Sequence, residues 1–176
     1  MENKGLSQEE LDSTYEEIEQ MLQIMEEIYF KNLEYFKKND KELYKKVTKE
    51  EKKILKDKSK EKFAVELNKT GSLDIINRKN KEYFYNTDPF LRGDNIAHQL
   101  DYKTVAFNGV GLGTHITSTI KFNKPKKVLI CESNIQIFRC SMYITDYTEL
   151  SKLTKLTISI GDICKSKKYD KTFKIK

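Results

Sequence analysis

Apolar residues recur at steps of three and four over the first third of the chain, then switch to alternation. Leu11, Tyr15, Ile18, Leu22, Met25 and Tyr29 fall on one helical face, and Met21, Ile24 and Ile28 widen it. Ser7, with Glu10 three residues on, reads as a capping box that opens this helix. The step changes at Leu33 and Phe36, and Asn39-Asp40 breaks the run and offers a new N-cap. A short helix with Leu43, Tyr44 and Val47 is predicted next. Thr48 with Glu51 forms a second capping box, which predicts a third helix carrying Ile54 and Leu55. The width of the first stripe implies packing, either on the chain's own domain or on a second copy.

Alternation begins at Phe63, Val65 and Leu67 and resumes at Leu73, Ile75 and Ile76 and at Tyr83-Phe84-Tyr85. The intervening Asn68-Lys-Thr-Gly71 and Asn77-Arg-Lys-Asn80 are turn chemistry, so three antiparallel strands are expected. Asp88-Pro89 then reads as N-cap and first position of a helix with Phe90, Ile96, Ala97 and Leu100 on its apolar side.

The run Val105 to Phe107 ends in Gly109-Val-Gly111-Leu-Gly113, and Ile116 and Ile120 follow one turn apart. Three of the chain's 7 glycines crowd into this loop. Strand, glycine turn and helix make the opening half of a βαβ unit. Lys127 to Cys131 forms a strand with the continuous apolar run Val128-Leu129-Ile130 and finishes in Glu132, as suits a strand buried on both faces. Ser133 with Gln136, and Asp146 with Glu149, predict two further caps, and Leu156 to Ile160 forms a last strand before Gly161-Asp162. The fold class is therefore α/β: a helical N-terminal arm over 1–60, a small antiparallel β-meander plus helix over 61–101, and a partial Rossmann-like parallel sheet with flanking helices over 102–176. Such a half-sheet is expected to be truncated before a further domain.

Composition narrows the partners. The chain has 176 residues and a net charge of +6, but its 33 basic residues are interleaved with 27 acidic ones. Interleaving describes a solvated helix face better than a phosphate track, so nucleic acid is not the expected partner. No run approaches a membrane span, and no apolar core of a signal peptide follows the polar amino terminus, which points to a cytoplasmic protein without membrane insertion. The odd count of Cys131, Cys140 and Cys164, with no CxxC pair, reads as small buried hydrophobes rather than a disulfide or zinc framework.

One constellation carries candidate chemistry. Backbone N–H groups of Gly109, Gly111 and Gly113 beside a helix start suit an anionic or polar group. Glu132 follows by about twenty residues, where an acid meets a ribose hydroxyl in dinucleotide and S-adenosylmethionine folds. Asp162 ends the next strand, where methyltransferases contact the base. The competing reading is a loop that only shapes a tight turn, with Glu132 solvated at a strand end; the third glycine falls one residue early for GxGxxG. Of the two histidines, His98 and His115, the second lies at the helix start beside the loop, within reach of a bound anion; the competing and preferred reading is a surface or first-turn residue. No catalytic triad, HExxH or P-loop is present, so neither a catalytic residue nor a metal site is assigned.

Several stretches carry a resemblance. Asn32-Leu-Glu-Tyr-Phe-Lys-Lys-Asn-Asp-Lys-Glu-Leu-Tyr44, Leu73-Asp-Ile-Ile-Asn77, Phe107-Asn-Gly-Val-Gly-Leu-Gly-Thr-His115 and Lys127-Val-Leu-Ile-Cys-Glu-Ser-Asn-Ile-Gln-Ile-Phe138 resemble, in order, the N-terminal domain of the motility accessory factor (Maf) flagellin glycosyltransferases. The resemblance implies transfer of pseudaminic or legionaminic acid from a CMP-sugar to Ser/Thr of flagellin, with flagellin as partner. It places the transferase region in a later, sialyltransferase-like domain, so this chain is expected to act as scaffold or recognition domain. A nucleotide or CMP-sugar is the ligand the loop would take, and homo-oligomerisation would run through the N-terminal helix. The alternative function is an S-adenosylmethionine- or nucleotide-binding, methyltransferase-like domain.

Overall fold

A computed structural model describes residues 8–97 and 103–161, with side chains over 13–95 and 103–161. Ser7, His98, Leu100, Asp162, Cys164 and the lysine-rich tail lie outside the described residues, as do the side chains of Leu11, Ile96 and Ala97.

Helix α1 (Gln8–Asn39) is a single helix of 32 residues with no internal Gly or Pro. It ends where the pattern predicts, because the Asp40 side chain accepts from the Leu43 N–H at 2.9 Å and starts α2 (Lys41–Lys56). The second capping box does not open a third helix. Leu43, Val47 and Ile54 stay on one buried face of α2, and Thr48 donates its hydroxyl to the Tyr44 carbonyl four residues back. Packing of a continuous apolar face outweighs the local cap.

Strands β1 (Phe63–Leu67), β2 (Leu73–Asn77) and β3 (Glu82–Tyr83) form an antiparallel sheet in that order. The third strand stops earlier than its aromatic run predicts. Asp74, fully buried, accepts from the N–H groups of Tyr85 and Asn86 and turns the chain away. Helix α3 (Pro89–Ala97) starts as expected, with Asp88 accepting from the Phe90 N–H at 2.8 Å.

The second sheet is parallel, ordered β4 (Thr104–Asn108), β5 (Lys127–Glu132), β6 (Lys155–Ile160). Between its strands lie α4 (Thr114–Asn123), α5 (Ile135–Ser141) and α6 (Tyr147–Leu153). Asn134 rather than Ser133 caps α5, through the Gln136 N–H, while Asp146 caps α6 as predicted. Central strand β5 is buried from Val128 through Glu132.

One core joins α1 and α2 to this sheet: Tyr29, Phe36, Leu43 and Val47 pack with Val128, Ile130, Phe138 and Tyr147. Fully buried Asn32 donates to the carbonyls of Met142 and Thr145 and accepts from the Tyr147 N–H at 2.8 Å. It therefore satisfies the last carbonyls around α5 and an N–H at the start of α6, groups that a helix cannot pair by itself. Arg139 of α5 pairs with Glu51 of α2 and Glu61. Burial opposes its charge, yet the Glu51 hydrogen bond and nearby groups hold its pKa above the ordinary value. Tyr29 and Tyr143 stack at 4.4 Å over the same site, and burial pushes the Tyr143 hydroxyl up to about 12. Cys140 is buried and free, its thiol pushed up to about 12 by burial. Cys131 is buried but disulfide-bonded, contrary to the reading of all three cysteines as unpaired.

Candidate functional site: the glycine loop

The loop forms because β4 must reverse into α4 within five residues, and all three glycines adopt left-handed backbone: φ is +97° at Gly109, +51° at Gly111 and +79° at Gly113. The residues between them point inward, and Val110 and Leu112 are fully buried. Gly109 extends the parallel ladder by donating to the Cys131 carbonyl at 2.7 Å. Gly113 is the N-cap of α4, which starts without a side-chain cap.

The structure brings Glu132 to this loop, as its position predicts, but not as a solvated strand end. It is 4 % exposed. One carboxylate oxygen accepts from the Val110 N–H at 3.0 Å and the other from the Asn134 N–H at 2.8 Å. A second group arrives from the meander: the Tyr85 hydroxyl accepts from the Leu112 N–H at 3.0 Å. It lies against Gly111, where an added Cβ would come within 1.9 Å of the hydroxyl. Thr145 donates to the Leu112 carbonyl at 2.8 Å and fills the space beside Gly113. Two loop N–H groups and one carbonyl are thus paired by the chain's own side chains. A ligand at those two N–H groups would displace a buried carboxylate or a tyrosine. Gly109 faces open space, so the loop is open on that side.

His115 lies in the first turn of α4, hydrogen-bonded to the Gly109 backbone and edge-on to Phe107 at 5.2 Å. Burial lowers its pKa, which favours neutral imidazole. Arg92 stands over the Tyr85 ring at 5.9 Å. Helices α3 and α4 meet closely at Gly93: an added Cβ would lie 2.9 Å from the backbone of Thr114 and His115. Thr114 to the Pro89 carbonyl and Ser118 to Asp94 complete that contact. Asp162, the third predicted group, lies outside the described residues. Among the described residues no cluster of His, Cys, Asp and Glu could hold a metal ion, and no helix is long and apolar enough to cross a membrane.

Tyr85, Thr145 and Asp74 are absent from the sequence-based site. Their partners lie 11 to 33 residues away, and Tyr85 reads locally as one aromatic of a strand. Asn32 carried a signal that could have been read: an amide on an otherwise apolar helical face.

Residues 91–160, which run from α3 through β6, match the family model described as the glycosyltransferase Maf N-terminal domain. Among solved structures, the Maf glycosyltransferase from Magnetospirillum magneticum AMB-1 is similar in fold, with a TM-score of 0.55 and 15% identity. The likeness covers 76% of this chain and 27% of that one, so the chain spans about a quarter of that protein's length. No curated protein matches the chain.

Proposed function

We propose, from the match of residues 91–160 to the model of the Maf N-terminal domain, that the chain is the Rossmann-like, non-catalytic part of a flagellin glycosyltransferase system. It acts as scaffold and recognition domain for flagellin in the cytoplasm. The system transfers pseudaminic or legionaminic acid from a CMP-sugar to Ser/Thr of flagellin. The transfer itself belongs to regions of such proteins that this chain does not span, and no catalytic residue is assigned within it. The observation that carries the scaffold role is the loop's own pairing: Glu132 and Tyr85 occupy two of its N–H groups. The loop then ties the meander to the parallel sheet and fixes where α3 and α4 stand. Self-association runs through the exposed apolar residues of α1. Deleting the gene should remove sugar mass from flagellin, and restoring it should return that mass. Flagellin of unchanged intact mass in the deletion strain rejects the reading.

A second reading takes Gly109, Gly111, Gly113 and Glu132, with Asp162, as a nucleotide contact. What favours it is the open side of Gly109 next to a buried carboxylate. Calorimetry with CMP, S-adenosylmethionine and NAD tests it. Heat with CMP that Glu132→Gln abolishes fits a CMP-sugar site. Heat with S-adenosylmethionine alone favours the methyltransferase-like alternative. No heat with any of the three removes a ligand role.

A further inference from the structure

We propose that the acidic outer face of α1 docks on the lysine face of α2 in a second copy of this chain. This rests on the self-association assigned to α1 above and names its receptor.

The interleaving of charge in the whole chain does not hold within these helices: residues 8–27 of α1 contain eight acidic residues and no basic one. Helical spacing sets Glu16 and Glu27 opposite the buried Met25, Asn32 and Phe36 and turns Glu19 toward the same outer side, and all three are exposed. None of the three forms an ion pair among the described residues; Glu27 accepts from Gln23 on its own helix. Residues 41–60 have the opposite balance, nine lysines against four acids. Lys45, Lys49, Lys52 and Lys56 follow one another at helical steps of four, three and four on one exposed face of α2. The ion pairs of this region use other lysines, Lys53 with Glu50 and Lys60 with Asp57. Like charges one turn apart weaken a helix, so both stripes gain from an opposite charge laid across them.

The two stripes match in reach. Glu16 to Glu27 and Lys45 to Lys56 each span eleven residues, or about 16 Å at 1.5 Å per residue. Each is flanked by apolar surface: Tyr15 (66 % exposed) and Leu22 (51 %) on α1, Leu55 (65 %) on α2. The lysine face lines a trough of about 1050 Å³ that includes Ile135. Within one chain the stripes do not pair, because α1 and α2 face each other through Tyr29 and Glu51. Two copies related by a two-fold axis use both stripes twice, each α1 on the other's α2, which is the self-complementary form of a dimer interface. A nucleic acid fits the lysine face less well. Glu50 and Asp57 interrupt the positive field, and Leu55 and Ile135 offer apolar contact that phosphates do not use.

Sedimentation of the full chain over a concentration series tests this. The wild-type chain should dimerise at low salt and weaken by about tenfold or more at high salt. Lys49→Glu with Lys52→Glu, and separately Glu16→Lys with Glu19→Lys, should each weaken the homodimer by about a hundredfold or more while circular dichroism stays unchanged. Mixing the two swapped chains should restore a heterodimer, since each altered face then meets its opposite. A wild-type chain that stays monomeric, a folded lysine variant that still dimerises, or a mixture that does not recover overturns the proposal. Leu22→Gln with Ile24→Gln separates the two readings. If it abolishes the dimer and the lysine swap does not, α1 self-association stands and its α2 receptor fails. If neither change affects the dimer, both fail.

Discussion

The two halves of α1 share one continuous backbone and differ in what they touch. The carboxyl half buries Tyr29, Asn32 and Phe36 and places polar groups on α2, α5 and α6. The amino half leaves Tyr15, Leu22 and Ile24 more than half exposed. The difference teaches where this chain holds itself together. Apolar faces bring elements near one another, but buried polar groups with fixed partners lock their positions. The glycine loop belongs with the locked regions, through Tyr85 and Glu132, and the amino half of α1 does not.

The sharpest way to break this contrast is Asn32→Ala. It leaves two buried carbonyls and one N–H unpaired and should cost about 3 kcal/mol or more. A denaturation midpoint implying under about 1 kcal/mol would mean the Asn32 bonds lock nothing. Next comes Glu51→Gln, which keeps shape but removes the charge facing buried Arg139. The expected loss is about 2 kcal/mol, and an unchanged melting temperature would count against it. Tyr85→Phe should cost about 1 kcal/mol and speed hydrogen exchange at the Leu112 amide, because only that hydroxyl is removed. Unchanged exchange there would detach the loop from the locked group. The smallest effect sharpens the contrast from the other side. Leu22→Gln, measured at a dilution where the chain is monomeric, should change stability by no more than about 0.5 kcal/mol.

Much of this architecture was readable in local signals. The helical period of α1, the break at Asp40, the alternation around Ile75, and the glycine turn between two apolar strands each depend on neighbours a few positions apart. So does the meeting of Glu132 with the loop, since βαβ topology alone sets those two side by side. Other features were not readable, because they are meetings rather than patterns. Gln136 bridges Glu50 and the Lys60 carbonyl, and Arg139 joins Glu51, across 76 to 88 residues. Thr48 was misread for the reverse reason. Its cap signal is local, and the apolar face of α2, held by a distant core, overrode it.

Gly93 sets a limit on how far this protein can drift. Its single hydrogen lets two helices touch backbone to backbone, and even a methyl group there would wedge α3 off the segment that begins α4. The lysines of α2 can be exchanged with little consequence for the fold of one copy. Position 93 has no such latitude, and any replacement would first be felt at Thr114 and His115, where α4 leaves the glycine turn.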